Sequence, residues 1–255
     1  MKDRRRLIFE LIEQKGEVNI HELEALFPDV SSMTLRRDLD FLESDHKVVK
    51  IKGGAKSLSH LSRSMFHDLE GDYGQRESVN ADGKRLIAEK AACFVESGRS
   101  IFVDAGSTMM QLVRHLKSGR FSVITNAVNA ALELSQNQSA TVNLIGGELN
   151  RNNMCVSGAG ALAHIQNINI DIAFMAASGF TVEDGFTNGS FDEYELKRHV
   201  VQKAKKTVIL MDATKIGKTM PYTFCSLKDV DYLVMDAPPE PSLLAAAEAA
   251  RTKIL

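Results

Sequence analysis

The chain has 255 residues, 44% hydrophobic and 25% charged, with a formal net charge of −2. That length suffices for two domains or one large one with a substantial core, and the composition is that of an ordinary soluble globular protein. No apolar run reaches the length of a membrane helix, and the charged start MKDRRRLIFELIEQKGE is helical rather than a signal peptide, so no membrane partner is expected.

The net charge alone argues against a nucleic-acid binder, but its distribution does not. Residues 1–60 hold 11 Lys/Arg and 11 Asp/Glu, yet Lys47, Lys50, Lys52 and Lys56 form a stretch without an acid, and Arg4, Arg5 and Arg6 form a second basic cluster. Phosphate contacts depend on such local placement. Three cysteines, Cys93, Cys155 and Cys225, lie far apart with no metal-ligand spacing. They suit buried thiols in a reducing cytoplasm, with no metal and no cofactor expected.

In chain order, Leu7, Ile8, Leu11 and Ile12 recur at helical spacing and Gly16 ends that helix. Asn19 is placed to cap a second helix, whose stripe Ile20, Leu23 and Leu26 runs until Pro28 stops it. Ser31 is placed to cap a third, in which Leu35, Leu39 and Leu42 share one face while Met33, Arg36, Arg37 and Asp40 occupy the other. Two adjacent arginines early in a short helix suit entry into a DNA major groove, where arginine reads guanine edges or clamps phosphates. After Asp45 the period changes to alternation: Val48, Val49 and Ile51 interleave with Lys47, Lys50 and Lys52, and Gly53-Gly54 permits a turn. This predicts a β-wing beside the helix. The candidate DNA contacts are therefore Ser31, Ser32, Thr34, Arg36, Arg37, Lys50 and Lys52.

The run TLRRDLDFLE followed by a basic wing ending in GGA resembles the N-terminal winged helix-turn-helix of the DeoR family of bacterial regulators. The expected domains are a winged helix-turn-helix at residues 1–57, a linker at 58–82 with little periodicity and room for one helical turn, and an α/β domain at 83–255. In that last part, helical segments alternate with short apolar strands at Ser100–Val103, Ser122–Ile124, Val142–Ile145, Ile172–Met175, Val208–Met211 and Val230–Val234. An Ala-rich helix comes after them. The pattern predicts a mainly parallel sheet covered on both faces.

The residues just past each strand carry the functional expectation. These are Asp104-Ala-Gly-Ser-Thr108, Thr125-Asn126, Gly146-Gly147, Ala177-Ser178-Gly179 and Asp212-Ala-Thr-Lys215. In open α/β sheets ligands bind where such loops gather. Gly106, Ser107 and Thr108 open a helix whose free N–H groups suit an anion. Asp104 suits sugar hydroxyls, and Lys197 and Lys215 supply cations. The bland reading of Glu193 and Lys197, four residues apart, is a surface ion pair.

The segments DAGST, ITNA, LIGGEL, AFMAASGFTVEDGFT, EYELKR and MDATKIGK, in this order, resemble the DeoR-type sensor domain. That domain is similar in fold to ribose-5-phosphate isomerase and typically binds phosphorylated sugars. The resemblance implies a phosphate loop at Gly106, Ser107 and Thr108. It implies further effector contacts near Asp104, Asn126, Gly147, Asp184, Glu193, Lys197 and Lys215. Loops Arg151–Ser157 and Thr181–Ser190 would choose among ligands. The expected function is a cytoplasmic repressor of carbohydrate genes, with operator DNA, a phosphorylated sugar and its own copies (a dimer or tetramer) as partners. The alternative is an isomerase-like enzyme, using Asp104, Asp184, Glu193 or Glu195 to move a proton and Lys197 or Lys215 to hold an enediolate oxygen.

Overall fold

The computed structural model describes residues 2–44, 47–51, 53–57, 73–116 and 119–255. Lys52 and most of the expected linker lie outside the described residues. The chain divides into two compact units, residues 1–69 and 70–255.

The first unit runs α1 (Lys2–Lys15), β1 (Glu17–Asn19), α2 (Ile20–Leu26), α3 (Ser32–Ser44), β2 (Val48–Ile51) and β3 (Gly54–Ser57). Its core is Ile8, Ile12, Val18, Ile20, Leu23, Leu35, Leu39, Leu42, Val48 and Ala55. The apolar stripes place all but Val18 and Ala55, although Leu7 and Leu26 face solvent at 49% and 54% exposure. Asn19 caps α2 reciprocally: its Oδ1 accepts from the Glu22 N–H at 2.9 Å, and the Glu22 carboxylate accepts from the Asn19 N–H at 3.0 Å.

The wing contains a strand that alternation does not reveal, since β1 is only three residues long. The antiparallel order is β1-β3-β2, with Val18 opposite Ala55 and Lys50 opposite Ala55 on the other side. Gly54 is required by this third strand, because a Cβ there would lie 2.1 Å from the Val18 carbonyl oxygen.

The second unit opens with α4 (Tyr73–Ser78) and α5 (Ala81–Ala92), so residues 73–78 and 81–82, read from sequence as linker, are helical. It continues β4 (Ser100–Val103), α6 (Ser107–His115), β5 (Ser122–Thr125), α7 (Val128–Leu134), β6 (Thr141–Leu144), β7 (Glu148–Asn150), β8 (Cys155–Ser157), α8 (Ala159–Ile165) and β9 (Ile170–Ala176). Then come β10 (Gly179–Thr181), β11 (Gly185–Asn188), α9 (Phe191–Lys203), β12 (Ala204–Leu210), β13 (Tyr222–Cys225), β14 (Tyr232–Val234), α10 (Pro241–Ala250) and β15 (Lys253–Ile254).

Seven strands form one sheet in the order β15-β14-β12-β9-β4-β5-β6, every neighbouring pair parallel. Side chains alternate between two cores as the period of two demands. Phe102, Ala173, Met175 and Ile209 enter one core with α8, α9 and α10. Ile101, Val103, Ile172, Phe174, Val208 and Leu210 enter the other with α5, α6 and α7. A small antiparallel sheet, β10-β11-β13, adds Phe180, Phe186 and Phe224 to the first core. Cys155 and Cys225 are buried, but Cys93, the residue that ends α5, is exposed. No described helix is long and apolar enough to cross a membrane.

In the first unit the arginine cluster takes a role the sequence does not suggest. Asp38, on the inner side of α3, is 1% exposed. Its Oδ2 accepts from Arg4 Nε at 2.6 Å and its Oδ1 from Arg5 Nε at 2.7 Å. Arg5 also lies over the Phe41 ring at 4.0 Å. Arg4 and Arg5 therefore turn inward, as the counter-charge of a buried carboxylate, rather than outward to phosphates. Burial opposes the charge on Asp38, but the two guanidinium bonds outweigh it and hold the carboxyl below its ordinary range.

Asp38→Asn should cost about 2–3 kcal/mol at neutral pH, less than a fully enclosed pair because both arginines can swing to solvent. The folded carboxyl titrates below its ordinary value of 3.8, so this contribution is present above that pH and lost as pH falls through the lowered value. Urea unfolding of both proteins should show the gap at pH 7 and its progressive closure as the pH is taken below the ordinary carboxylate range.

Candidate functional site

Two surfaces carry the candidate residues, one in each unit. In the first, Asp38 and Leu35, Leu39 and Leu42 pin one side of α3 inward, which turns Met33, Arg36, Arg37 and Asp40 out. Neither Arg36 nor Arg37 makes a hydrogen bond or ion pair among the described residues. The hydroxyls at the start of α3 are engaged locally: Ser31 Oγ lies 3.0 Å from Thr34 Oγ1, and Ser32 Oγ donates to Glu24. Lys50 is bonded to Asp40 across the helix–wing junction, and its N–H donates to Glu43 at 2.9 Å. The side-chain bond to Asp40 raises its pKa, so Lys50 stays fully cationic. The surface thus presents two guanidinium forks on a helix with a lysine beside them.

The second surface is a cleft of about 630 Å³, open solvent included, at the carboxyl ends of β4, β9 and β12. These strands are neighbours in the sheet, so the loops after them meet. The β4 loop brings Ala105, Gly106, Ser107 and Thr108; the β9 loop brings Ala177 and Ser178; the β12 loop brings Met211, Asp212 and Lys215. Glu193 and Lys197 descend from α9, Asn153 from the β7–β8 turn, Arg76 from α4 and Lys84 from α5.

Gly106 precedes α6 with φ +134°, a conformation reserved for glycine, and so lets the chain turn sharply from strand to helix. The first N–H groups of α6 have no partners within the helix, and its dipole places partial positive charge there.

Asp104 is 1% exposed beneath this loop. Its Oδ1 accepts from the Ala105 N–H at 2.8 Å and its Oδ2 from the Ala176 N–H at 3.0 Å, and Lys197 Nζ bonds the same Oδ2. Its oxygens are thus occupied by protein donors, and its place here is as the anchor of Lys197. Lys197 also donates to the Ala176 carbonyl at 2.9 Å. Burial disfavours its charge, but Asp104 and then Glu193 reverse that, so its pKa is raised and it remains an ammonium. Glu193 and Lys197 are 8% and 6% exposed, so they are not the surface pair that their spacing allows. The Glu193 Oε1 accepts from Asn153 Nδ2 at 2.7 Å and lies 3.4 Å from Cys155 Sγ. Burial first, and the Glu193 charge second, push that thiol far above its ordinary pKa, which makes it inert.

Of the expected effector residues, the cleft gathers Gly106, Ser107, Thr108, Glu193, Lys197 and Lys215, with Asp104 beneath. Three others lie elsewhere. Asn126 comes after β5, one strand beyond β4, and is buried against β8, its carbonyl accepting from the Val156 N–H at 2.7 Å. Gly147 comes after β6, two strands away, and packs against the Ser157 carbonyl. Asp184 is exposed in the β10–β11 hairpin, where Thr219 Oγ1 donates to it at 2.7 Å.

Sequence reasoning missed Arg76 and Lys84 because both fall at the edge of the expected linker, and Asn153 because a short turn has no period. Lys84 is 3% exposed and donates to the carbonyls of Arg76 and, at 2.6 Å, Val79. Burial lowers its pKa. The cleft holds four cations, Arg76, Lys84, Lys197 and Lys215, against Glu193, Asp212 and the underlying Asp104.

Lys197→Met would strand Asp104 without its counter-charge and should cost about 3–5 kcal/mol in urea unfolding. Adding Asp104→Asn should recover part of that loss. Strictly additive costs would show that the two residues are not coupled.

Residues 4–60 match the DeoR-like helix-turn-helix domain and residues 79–237 the DeoR C terminal sensor domain. The chain is 34% identical over 235 residues to the HTH-type transcriptional regulator GolR of Listeria innocua, covering 92% of this chain and 90% of that protein. It is 27% identical to the HTH-type transcriptional repressor GlcR of Bacillus subtilis, covering 91% and 87%. The likeness to solved ribose 5-phosphate isomerase A of Methanocaldococcus jannaschii is distant, with a TM-score of 0.41 and 19% identity over 54% of this chain and 55% of that one. The relatives are regulators, which does not favour the enzymatic alternative. The chain belongs to the DeoR family of helix-turn-helix transcriptional regulators.

Proposed function

We propose that this protein is a repressor of carbohydrate-metabolism genes whose operator affinity is set by a phosphorylated sugar in the second-unit cleft. Residues 1–57 form the DNA-reading head and residues 83–255 the sensor. The observation that carries this reading is the convergence of the α6 N-terminus with Arg76, Lys84, Lys197 and Lys215 in one cleft. Backbone N–H groups and cations together suit a phosphate, and polar groups such as Asn153 and Ser178 suit hydroxyls. The head reads the major groove with Arg36 and Arg37, positioned by Ser31, Ser32 and Thr34, while Lys50 and Lys52 contact the flanking backbone. Two-fold operators imply at least a dimer, or a tetramer. Ligand and DNA favour different arrangements of the protein, and the ligand releases the operator in proportion to its differential affinity.

A thermal-shift panel should find one phosphorylated sugar that stabilises the protein by about 2.7 kcal/mol at one hundred times its Kd, while its unphosphorylated form does not. The same sugar should weaken binding to double-stranded DNA selected by the protein from random sequence. Joint replacement of Ser107 and Thr108 by alanine should remove this response without weakening DNA binding. A panel with no shift would sink the sugar-phosphate reading. On the selected DNA, Arg36→Ala or Arg37→Ala should cost about 1–3 kcal/mol and relax specificity at one base. Equal loss on random DNA would instead assign that arginine to phosphate contact. Lys50→Ala should reduce the salt slope by about one, and an unchanged slope would remove it from the interface.

A further inference from the structure

The helix that opens the second unit reaches into the cleft through one side chain. Arg76 of α4 donates from Nη2 to Asn153 Oδ1 at 2.8 Å, and Asn153 in turn donates to Glu193 at 2.7 Å. The Arg76 Nε–H is shut off from solvent and has no acceptor among the described residues. The main chain of Arg76 is fastened as well, since its carbonyl accepts from the buried Lys84 ammonium. The rest of α4 is tied to the cleft walls: the Tyr73 N–H donates to the Asn152 carbonyl at 3.2 Å, and Glu77 pairs with Arg114 of α6 at 2.8 Å. Helix α6 is the one whose first turn carries Ser107 and Thr108.

We propose that Arg76 is an effector-contact residue, and that an anion taken up by the cleft sets the position of α4 through it. The inference rests on the cleft being an anion site, as proposed above. Nε and Nη2 lie on one edge of the guanidinium and form the fork that binds a phosphate through two parallel bonds. One arm of that fork is held by a neutral amide oxygen and the other lacks an acceptor, so a phosphate oxygen pair outcompetes Asn153 for it. The side chain turns to take the phosphate, and because Lys84 holds the Arg76 carbonyl, the bound fork braces α4 against the cleft. Helix α4 is the first described element after β3 along the chain, so occupancy of the cleft is registered where the chain enters the sensor.

Hydrogen–deuterium exchange on the full-length protein, with and without inorganic phosphate, tests this. Phosphate should slow exchange severalfold both in residues 106–112 and in residues 73–80. In Arg76→Lys, which keeps a cation but loses the fork, phosphate affinity measured by thermal shift should fall about tenfold or more. The response of residues 73–80 should then vanish even where phosphate is raised to restore occupancy. Arg76→Gln, close in shape and uncharged, should behave in the same way. Protection at 106–112 with none at 73–80 in the unaltered protein would overturn the inference and leave the anion site standing. Unchanged phosphate affinity in Arg76→Lys would overturn the contact role. Protection at neither segment would overturn the anion site and this inference together.

Discussion

The buried bond between Lys197 and Asp104 is the constraint on which the cleft edge of the second unit depends. Either charge alone in that position would be costly, because backbone bonds replace only part of the hydration it loses on burial. Together they are satisfied: Asp104 takes the N–H groups of Ala105 and Ala176, and Lys197 gives a second bond to the Ala176 carbonyl. Three separate pieces of chain, the end of β4, the end of β9 and the first half of α9, are thereby locked at one point. The lock puts the Gly106 turn directly above a neutralised charge pair and brings Glu193, one helical turn before Lys197, over the same edge.

The same device appears in the first unit. Asp38 is a carboxylate buried beside the most exposed functional face, and Arg4 and Arg5 supply its counter-charge. In both units the buried pair faces inward and sets the rotation of a helix, which decides what that helix offers outward. For α3 the outward face holds Arg36 and Arg37; for α9 the inner face supplies the floor and wall of the cleft. Charges spent on architecture are therefore distinct from charges available to a ligand. Net charge describes neither group, which is why −2 is compatible with DNA binding.

The groups in the cleft fit the proposed anion better as a bound ligand than as a reacting substrate. Its deepest carboxylate, Asp104, is neutralised and fully bonded, and Glu193 is held by Asn153 with Cys155 alongside. Fixed groups of this kind position a ligand and register its presence. Coupling to DNA needs nothing more than different affinities for two arrangements of the protein.

Much of this was legible in the sequence. Periodicity placed the three helices of the head, the lysine wing and most strands of the parallel sheet, because period is a local property set by which face is buried. The segment order DAGST to MDATKIGK carried the family. Position along the chain could not say which strand ends meet. That is decided by the order β12-β9-β4-β5-β6, which gathers the loops after β4, β9 and β12 and leaves Asn126 and Gly147 one and two strands away, at about 5 Å per strand. Nor could it show that Arg4 and Arg5 turn inward, since their partner Asp38 is more than 30 residues distant and reads locally as an ordinary surface acid. Arg76 was hidden because a six-residue helix without an apolar stripe has no local signature, and Lys84 because a lysine beside the stripe of Ile87, Ala88 and Ala91 reads locally as solvent-facing. The sequence by itself determined the helices and wing of the head, most strands of the parallel sheet, the family and the types of chemistry available. Tertiary structure alone decided which charges cancel and which converge, because that depends on distances between segments that only folding brings together.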